Sequence, residues 1–89
     1  MLEQLRQRYL ASFRLKIDTL KGALENQDFQ ALIVQVHQLA GSSGSYGFQD
    51  ISALCCDIET IGEAQHGINQ SMIEKTRELI QLLEHNSLT

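Results

Sequence analysis

One imidazole in this 89-residue chain is flanked by residues that leave it bare. His37 is followed one helical turn later by Gly41 and two turns later by Gly44. On a helix these positions share a face, and neither glycine has a side chain to shield the ring. An imidazole has an ordinary pKa near 6.5, so at pH 7 it is mostly neutral and keeps a lone pair for attack. Placed on the wheel, His37 lies about 100° from the apolar stripe that centres on Val36, at the edge of the helix where solvent reaches it. Glycine inside a helix costs about 1 kcal/mol relative to alanine. Gly41 therefore weakens the element that carries His37, and close approach of a second molecule to the ring is a reason for its presence.

No other set of reactive residues competes. His66 and His85 share no i, i+4 spacing with each other or with a cysteine, so no metal site is expected. Cys55 and Cys56 are adjacent, and a bridge between neighbours closes a strained ring, so free thiols and a reducing compartment are expected. Cys55 reads as a core residue and Cys56 as one at its boundary. Asp57, Glu59 and Glu63 read as a solvated acidic face of a helix. No second polar group stands at a fixed spacing to orient His37, which makes a small enzyme with a histidine general base the weakest reading. The run Gly41 to Gly47 follows a helix and lacks the Gly-Lys-Ser/Thr ending of a phosphate loop, so neither nucleotide binding nor autokinase activity is expected.

The elements that must hold His37 are helices. Leu2, Leu5, Tyr9, Phe13, Ile17, Leu20 and Leu24 step by three and four, which is one stripe of an amphipathic helix over 2–25. Asp28 is a good N-cap for a second helix over 28–44, whose inner stripe is Phe29, Leu32, Val36, Leu39, Ala40 and Ser43. A third helix over 49–65 turns Ile51, Leu54, Cys55, Ile58 and Ile61 inward until Gly62 and Gly67 interrupt it. The fourth, over 71–86, opens on Ser71-Met72-Ile73-Glu74, spaced as a capping box, and turns Met72, Thr76, Leu79, Ile80 and Leu83 inward. Four helices joined by short loops predict an all-α, antiparallel four-helix bundle with up-down-up-down order, one domain over 1–89.

Charge narrows the class of partner. The formal net charge of -4 and pI near 5.2 argue against nucleic acid and against anionic membrane surfaces, since both need a surplus of Lys and Arg. Residues 1–25 hold five basic and three acidic side chains, whereas 26–89 hold two and eight. From Met1 to Arg6 apolar and charged residues alternate, without the apolar block of a signal peptide or a membrane span, so a cytoplasmic location is expected. Between Phe29 and Gln49 no residue is charged, although the outer face of a helix in a globular domain is usually charged. Gln30, Ile33, Val34, Gln38, Ala40, Gly41 and Gly44 form an uncharged patch around His37, a candidate docking surface.

From His37 the chain reads H-Q-L-A-G-S-S-G-S-Y-G. This resembles the phosphorylation motif of histidine phosphotransfer (HPt) domains, H-x-L-K-G-S-S-x-x-x-G, with His37, Leu39, Gly41, Ser42, Ser43 and Gly47 in register. A long first helix, the pair Asp28-Phe29 opening the second, and a third helix like Ile51 to Glu59 extend the likeness over nearly the whole chain. The resemblance implies that His37 accepts a phosphoryl group from the aspartyl phosphate of a response-regulator receiver domain and passes it to another receiver in a two-component phosphorelay. It implies Nε2 as the phosphate-bearing nitrogen, Mg²⁺ supplied by the receiver, and no cofactor bound by this domain. The short length and net negative charge make a monomer the expectation, either free-standing or as the cytoplasmic domain of a membrane-bound hybrid sensor kinase. One position departs: Ala40 stands where the family commonly has a lysine that steers the phosphoryl group, and Arg14 or Lys16 on the first helix are candidate substitutes. The alternative is a non-catalytic bundle, a degenerate HPt domain that binds a receiver without accepting phosphate.

Overall fold

A helix buries only one stripe of its surface, so stripes like these need neighbours to cover them. In the computed structural model, which describes residues 3–65 and 67–87, the elements are α1 (Glu3–Ala11), α2 (Phe13–Glu25), α3 (Phe29–Ser45), α4 (Gln49–Gln65) and α5 (Gln70–Ser87). α2 and α4 each pack against both α3 and α5, which closes a bundle of four helices around one core, with α1 leading into α2. Phe13, Leu20, Leu32, Val36, Leu39, Ile51, Cys55, Ile58, Met72, Leu79 and Leu83 are fully buried within it. The expectation of an all-helical bundle holds, and no strand occurs among the described residues.

The helix expected over 2–25 is in fact two. Ser12 breaks it: its Oγ donates to the Tyr9 carbonyl at 2.6 Å, and its N–H is shared between the carbonyls of Arg8 (3.2 Å) and Tyr9 (3.1 Å). A serine bonded back to the preceding turn competes with the helical ladder and bends it. Beyond the break only Tyr9 of α1 is buried, and Leu5, expected on the inner stripe, is 43% exposed. Leu2 lies outside the described residues.

The turns that aim α3 share one design. Asp28 N–H bonds to Ala23 O (2.8 Å) and Gln27 N–H to Leu24 O (3.2 Å), with Gln27 at φ 53°. At the other end Phe48 N–H bonds to Ser43 O (2.8 Å) and Gly47 N–H to Gly44 O (3.2 Å), with Gly47 at φ 88°. Both are Schellman closures, which need one left-handed residue, natural for Gly47 and strained for Gln27. The Asp28 carboxylate accepts from Ala31 N–H at 3.1 Å, so it caps α3 as its type and place predict. At α5 the expected cap is displaced. Asn69, not Ser71, accepts the Met72 N–H (2.9 Å), and the helix begins at Gln70.

Gly62 was expected to interrupt the third helix, yet α4 runs through it to Gln65. A side chain there would meet Ile33 Cδ1 at 2.7 Å and Met72 Cε at 2.8 Å, so the missing Cβ lets α3 and α5 close onto α4. At the far end of α3 four rings lock the bundle. Tyr9 stacks on Tyr46 (4.3 Å between centroids), and Phe13 meets both Tyr9 and Phe48 edge to face.

Candidate functional site

Val36 points into the core, so its neighbour His37 falls on the flank of α3 toward α4, and its side chain is 76% exposed. There Glu59 of α4 meets it, with Oε2 2.9 Å from His37 Nδ1. An ionised carboxylate can only accept, so Nδ1 carries the proton, and a neutral ring then has its lone pair on Nε2. The Glu59 side chain is 24% exposed while the ring is largely open, so water reaches the bond from the histidine side. The imidazole is therefore held at one nitrogen and open at the other.

This contact overturns two expectations: that no polar group orients His37, and that Glu59 belongs to a merely solvated face. Helical periodicity could not find it, because the partner lies 22 residues away on another helix. The signal was in the short connection between α3 and α4. Folding the chain back about Phe48 sets His37 opposite Glu59 and Gly44 opposite Ser52, and the structure has both pairs in contact.

The two glycines differ. A side chain at Gly41 would meet nothing within 4 Å, so this position is open, whereas one at Gly44 would lie 3.5 Å from Ser52 Oγ. Ser52 Oγ also donates to Ala40 O at 2.8 Å, which ties α4 to α3 below the histidine. Of the expected docking residues, Gln30, Val34, Gln38 and Gly41 are exposed, while Ile33, Ala40 and Gly44 are half-buried. Val34 is half exposed at 50%, as are Leu5 and, more so, Leu15 elsewhere on the bundle.

Leu39, Ser42 and Ser43 hold the helix rather than line the surface. Leu39 and Ser43 are fully buried. Ser42 Oγ donates to Gln38 O (2.9 Å), so in its 2.6 Å contact with Tyr9 Oη the tyrosine is the donor. Tyr9 Oη in turn accepts from Ser43 Oγ at 3.1 Å. These serines thus fasten α1 to α3 through one phenol. Lys16 is tied to the same corner, donating to Ser12 Oγ (2.8 Å) with its ammonium 5.1 Å from the Tyr9 ring centroid, and burial lowers its pKa. Arg14 lines a groove with Lys21 and Glu84 of α5, away from His37.

Beside His37 the flank drops into a notch of about 220 Å³, lined by Phe29, Ile33, Glu59, Gly62 and Glu63. From Phe29 to Gln65 the sequence contains no Lys or Arg but four carboxylates, Asp50, Asp57, Glu59 and Glu63. Of these, Glu59 and Glu63 line the notch and put negative charge beside the uncharged patch around His37. Elsewhere, His85 is exposed on α5, and His66 lies outside the described residues. Among the described residues no group of three or more potential ligands is gathered to hold a metal. Burial pushes the Cys55 thiol up to about 12, with smaller contributions from Cys56 and Glu59, while Cys56 is exposed. No helix among the described residues is long and apolar enough to cross a membrane.

Compared with known proteins, residues 4–86 match the family model described as Hpt domain. No curated protein and no solved structure matches the chain.

Proposed function

The chain belongs to the Hpt domain family, phosphotransfer modules of two-component signalling that interact with receiver domains, and on that premise we propose that His37 is its phosphoacceptor. The observation that carries this reading is the ring itself, tethered at Nδ1 by Glu59, its side chain 76% exposed, with the open Gly41 position one turn further along the helix. In the reaction the Nε2 lone pair attacks the phosphorus of a receiver's aspartyl phosphate. The N–P bond forms as the P–O bond to the aspartate breaks, and the aspartate leaves as a carboxylate. The ring keeps its Nδ1 proton and takes on positive charge, which the Glu59 carboxylate faces directly. Attack by the aspartate of a second receiver reverses these steps and restores the neutral ring. Phosphoryl transfer depends chiefly on alignment and charge neutralisation. Mg²⁺ held by the receiver would supply charge neutralisation there, and this chain has only to present one aligned nitrogen.

The same reading takes residues 1–89 as one domain, a monomer with up-down-up-down helix order. Short connections and the mirrored contacts about Phe48 support that order. It acts in the cytoplasm, free or within a hybrid sensor kinase, on receivers that dock over Gln30, Val34, Gln38 and Gly41.

One observation favours a second reading, a degenerate module that binds receivers without accepting phosphate. Ala40 replaces the family's lysine, and neither Lys16 nor Arg14 makes a contact with His37 that would substitute for it. One experiment separates the two. Phosphorylated receiver domains of the same organism are mixed with the bundle and with its His37→Gln variant. Acid-labile, base-stable label on the wild type alone is expected. Receiver binding without label supports the degenerate module.

A further inference from the structure

Resting on that receiver-docking reading, we propose that the notch beside His37 is a specificity pocket that seats one lysine or arginine side chain of the receiver's docking face. Its floor is apolar, made by Phe29 and Ile33 where Gly62 contributes no side chain. Its only ionisable groups are Glu59 and Glu63. An apolar floor under two carboxylates suits a side chain with an alkyl stem and a cationic head, and rejects an acidic one.

Charge and position both select the receiver as the source of that cation. Every Lys and Arg of this chain lies outside residues 29–65, so nothing within α3 or α4 neutralises the rim. Membranes and nucleic acids present phosphates, which this face repels. The notch is also continuous with the proposed transfer site, because Glu59 belongs to both. Its Oε2 holds His37 Nδ1, while Oε1 makes no hydrogen bond among the described residues. A cation seated there fixes the receiver relative to Nε2, and a receiver without one docks less well. The pocket thereby discriminates among receivers that share the same phosphorylation chemistry.

The test uses whichever receiver of the same organism labels the wild-type bundle fastest. At low ionic strength, kcat/KM for transfer should fall about 5-fold in Glu63→Gln and about 30-fold in Glu63→Lys, and the differences should shrink at about 0.5 M salt. Labelling of His37 by phosphoramidate, a small donor that needs no docking face, should be equal in all three proteins. Replacing the seated receiver Lys or Arg by alanine should cost the wild type several-fold and Glu63→Lys nothing further. Unchanged kcat/KM in both Glu63 variants, or equal losses with phosphoramidate, overturns the pocket and leaves the relay standing. No label on the wild type from any receiver overturns the relay reading, and the pocket with it.

Discussion

Replacing Glu59 by alanine removes the carboxylate that holds His37 Nδ1, and its effect can be estimated from the geometry. A hydrogen bond to a charged group is worth about 1.5–3 kcal/mol when sheltered. Here the acceptor is only 24% exposed but the ring is 76% exposed, so water competes for Nδ1. Discounting for that exposure leaves about 1 kcal/mol, a factor of about five in the population of rings with the proton on Nδ1 and the lone pair on Nε2. The phosphorylated ring is cationic, so loss of the facing carboxylate adds to the deficit. Rapid-mixing measurements should therefore show transfer to His37 slowed about five- to tenfold in Glu59→Ala. Glu59→Gln keeps an acceptor oxygen without the charge and should recover part of the rate. Nitrogen-15 NMR of the ring reads the cause separately: the wild type and Glu59→Gln should show the Nδ1–H tautomer predominant, and Glu59→Ala a mixture. Alanine is a good helix former, so α4 should persist, and far-ultraviolet circular dichroism checks this. An unchanged tautomer ratio with an unchanged rate in Glu59→Ala would refute the orienting role.

Other substitutions test the scaffold. Tyr9→Phe removes the bonds to Ser42 and to buried Ser43, and should cost about 1–2 kcal/mol, a fall of roughly 5–10 °C in the melting temperature. An unaltered melt would mean that the serines find other partners. Gly41→Ala adds a methyl group to open space, so it should stabilise the bundle by about 0.5–1 kcal/mol in urea titrations while slowing transfer from receivers several-fold. A more stable protein with undiminished transfer would refute the need for a bare position beside His37. Cys55 gives the stability a pH dependence, because its thiol is pushed from 9.0 up to about 12 by burial. The unfolded chain releases that proton above about pH 9 while the native protein retains it, so the contribution is complete below that pH and is lost as pH rises toward about 12. Denaturation midpoints of the wild type should fall relative to Cys55→Ala above about pH 9, and a constant difference between the two would contradict it.

What the sequence discloses depends on whether the cause is local. Apolar spacing finds the helical segments, though not the division of the first into two, and the α5 stripe Met72, Thr76, Leu79, Ile80 and Leu83 is buried in full. The Asp28 cap is likewise a matter of adjacent residues. Ser12 escapes notice because serine tolerates a helix interior, and only its bond back to Tyr9 makes the break. Ser71 and Asn69 are both capable caps two positions apart, and local type does not decide between them. Gly62 reads as an interruption because an isolated glycine weakens a helix, but its role lies in the side chains of two other helices that occupy its missing Cβ. Glu59 is the sharpest case. Its chemistry was plain, but its partner was not, since the contact exists only once α3 and α4 are folded against each other.

These non-local causes bear on how His37 works. Of the residues that carry the motif, His37, Gly41 and Gly47 face solvent, while Leu39 and Ser43 are in the core and Ser42 is bound to Tyr9. Gly47 closes the turn into α4, the helix that brings Glu59 to the ring. Most of the motif therefore sets the rotation and axial position of α3, and with them the direction in which Nε2 points. An imidazole needs no activating base to attack an acyl phosphate, so the task left to the protein is alignment, and errors of about 1 Å in alignment can cost about 10²-fold in rate. On this account Tyr9, at the opposite edge of α3 from Glu59, serves the same end as the carboxylate. One fastens the helix and the other fastens the ring. Loss of the phenol hydroxyl should then lower the transfer rate as well as the melting temperature, without touching His37 or the docking face.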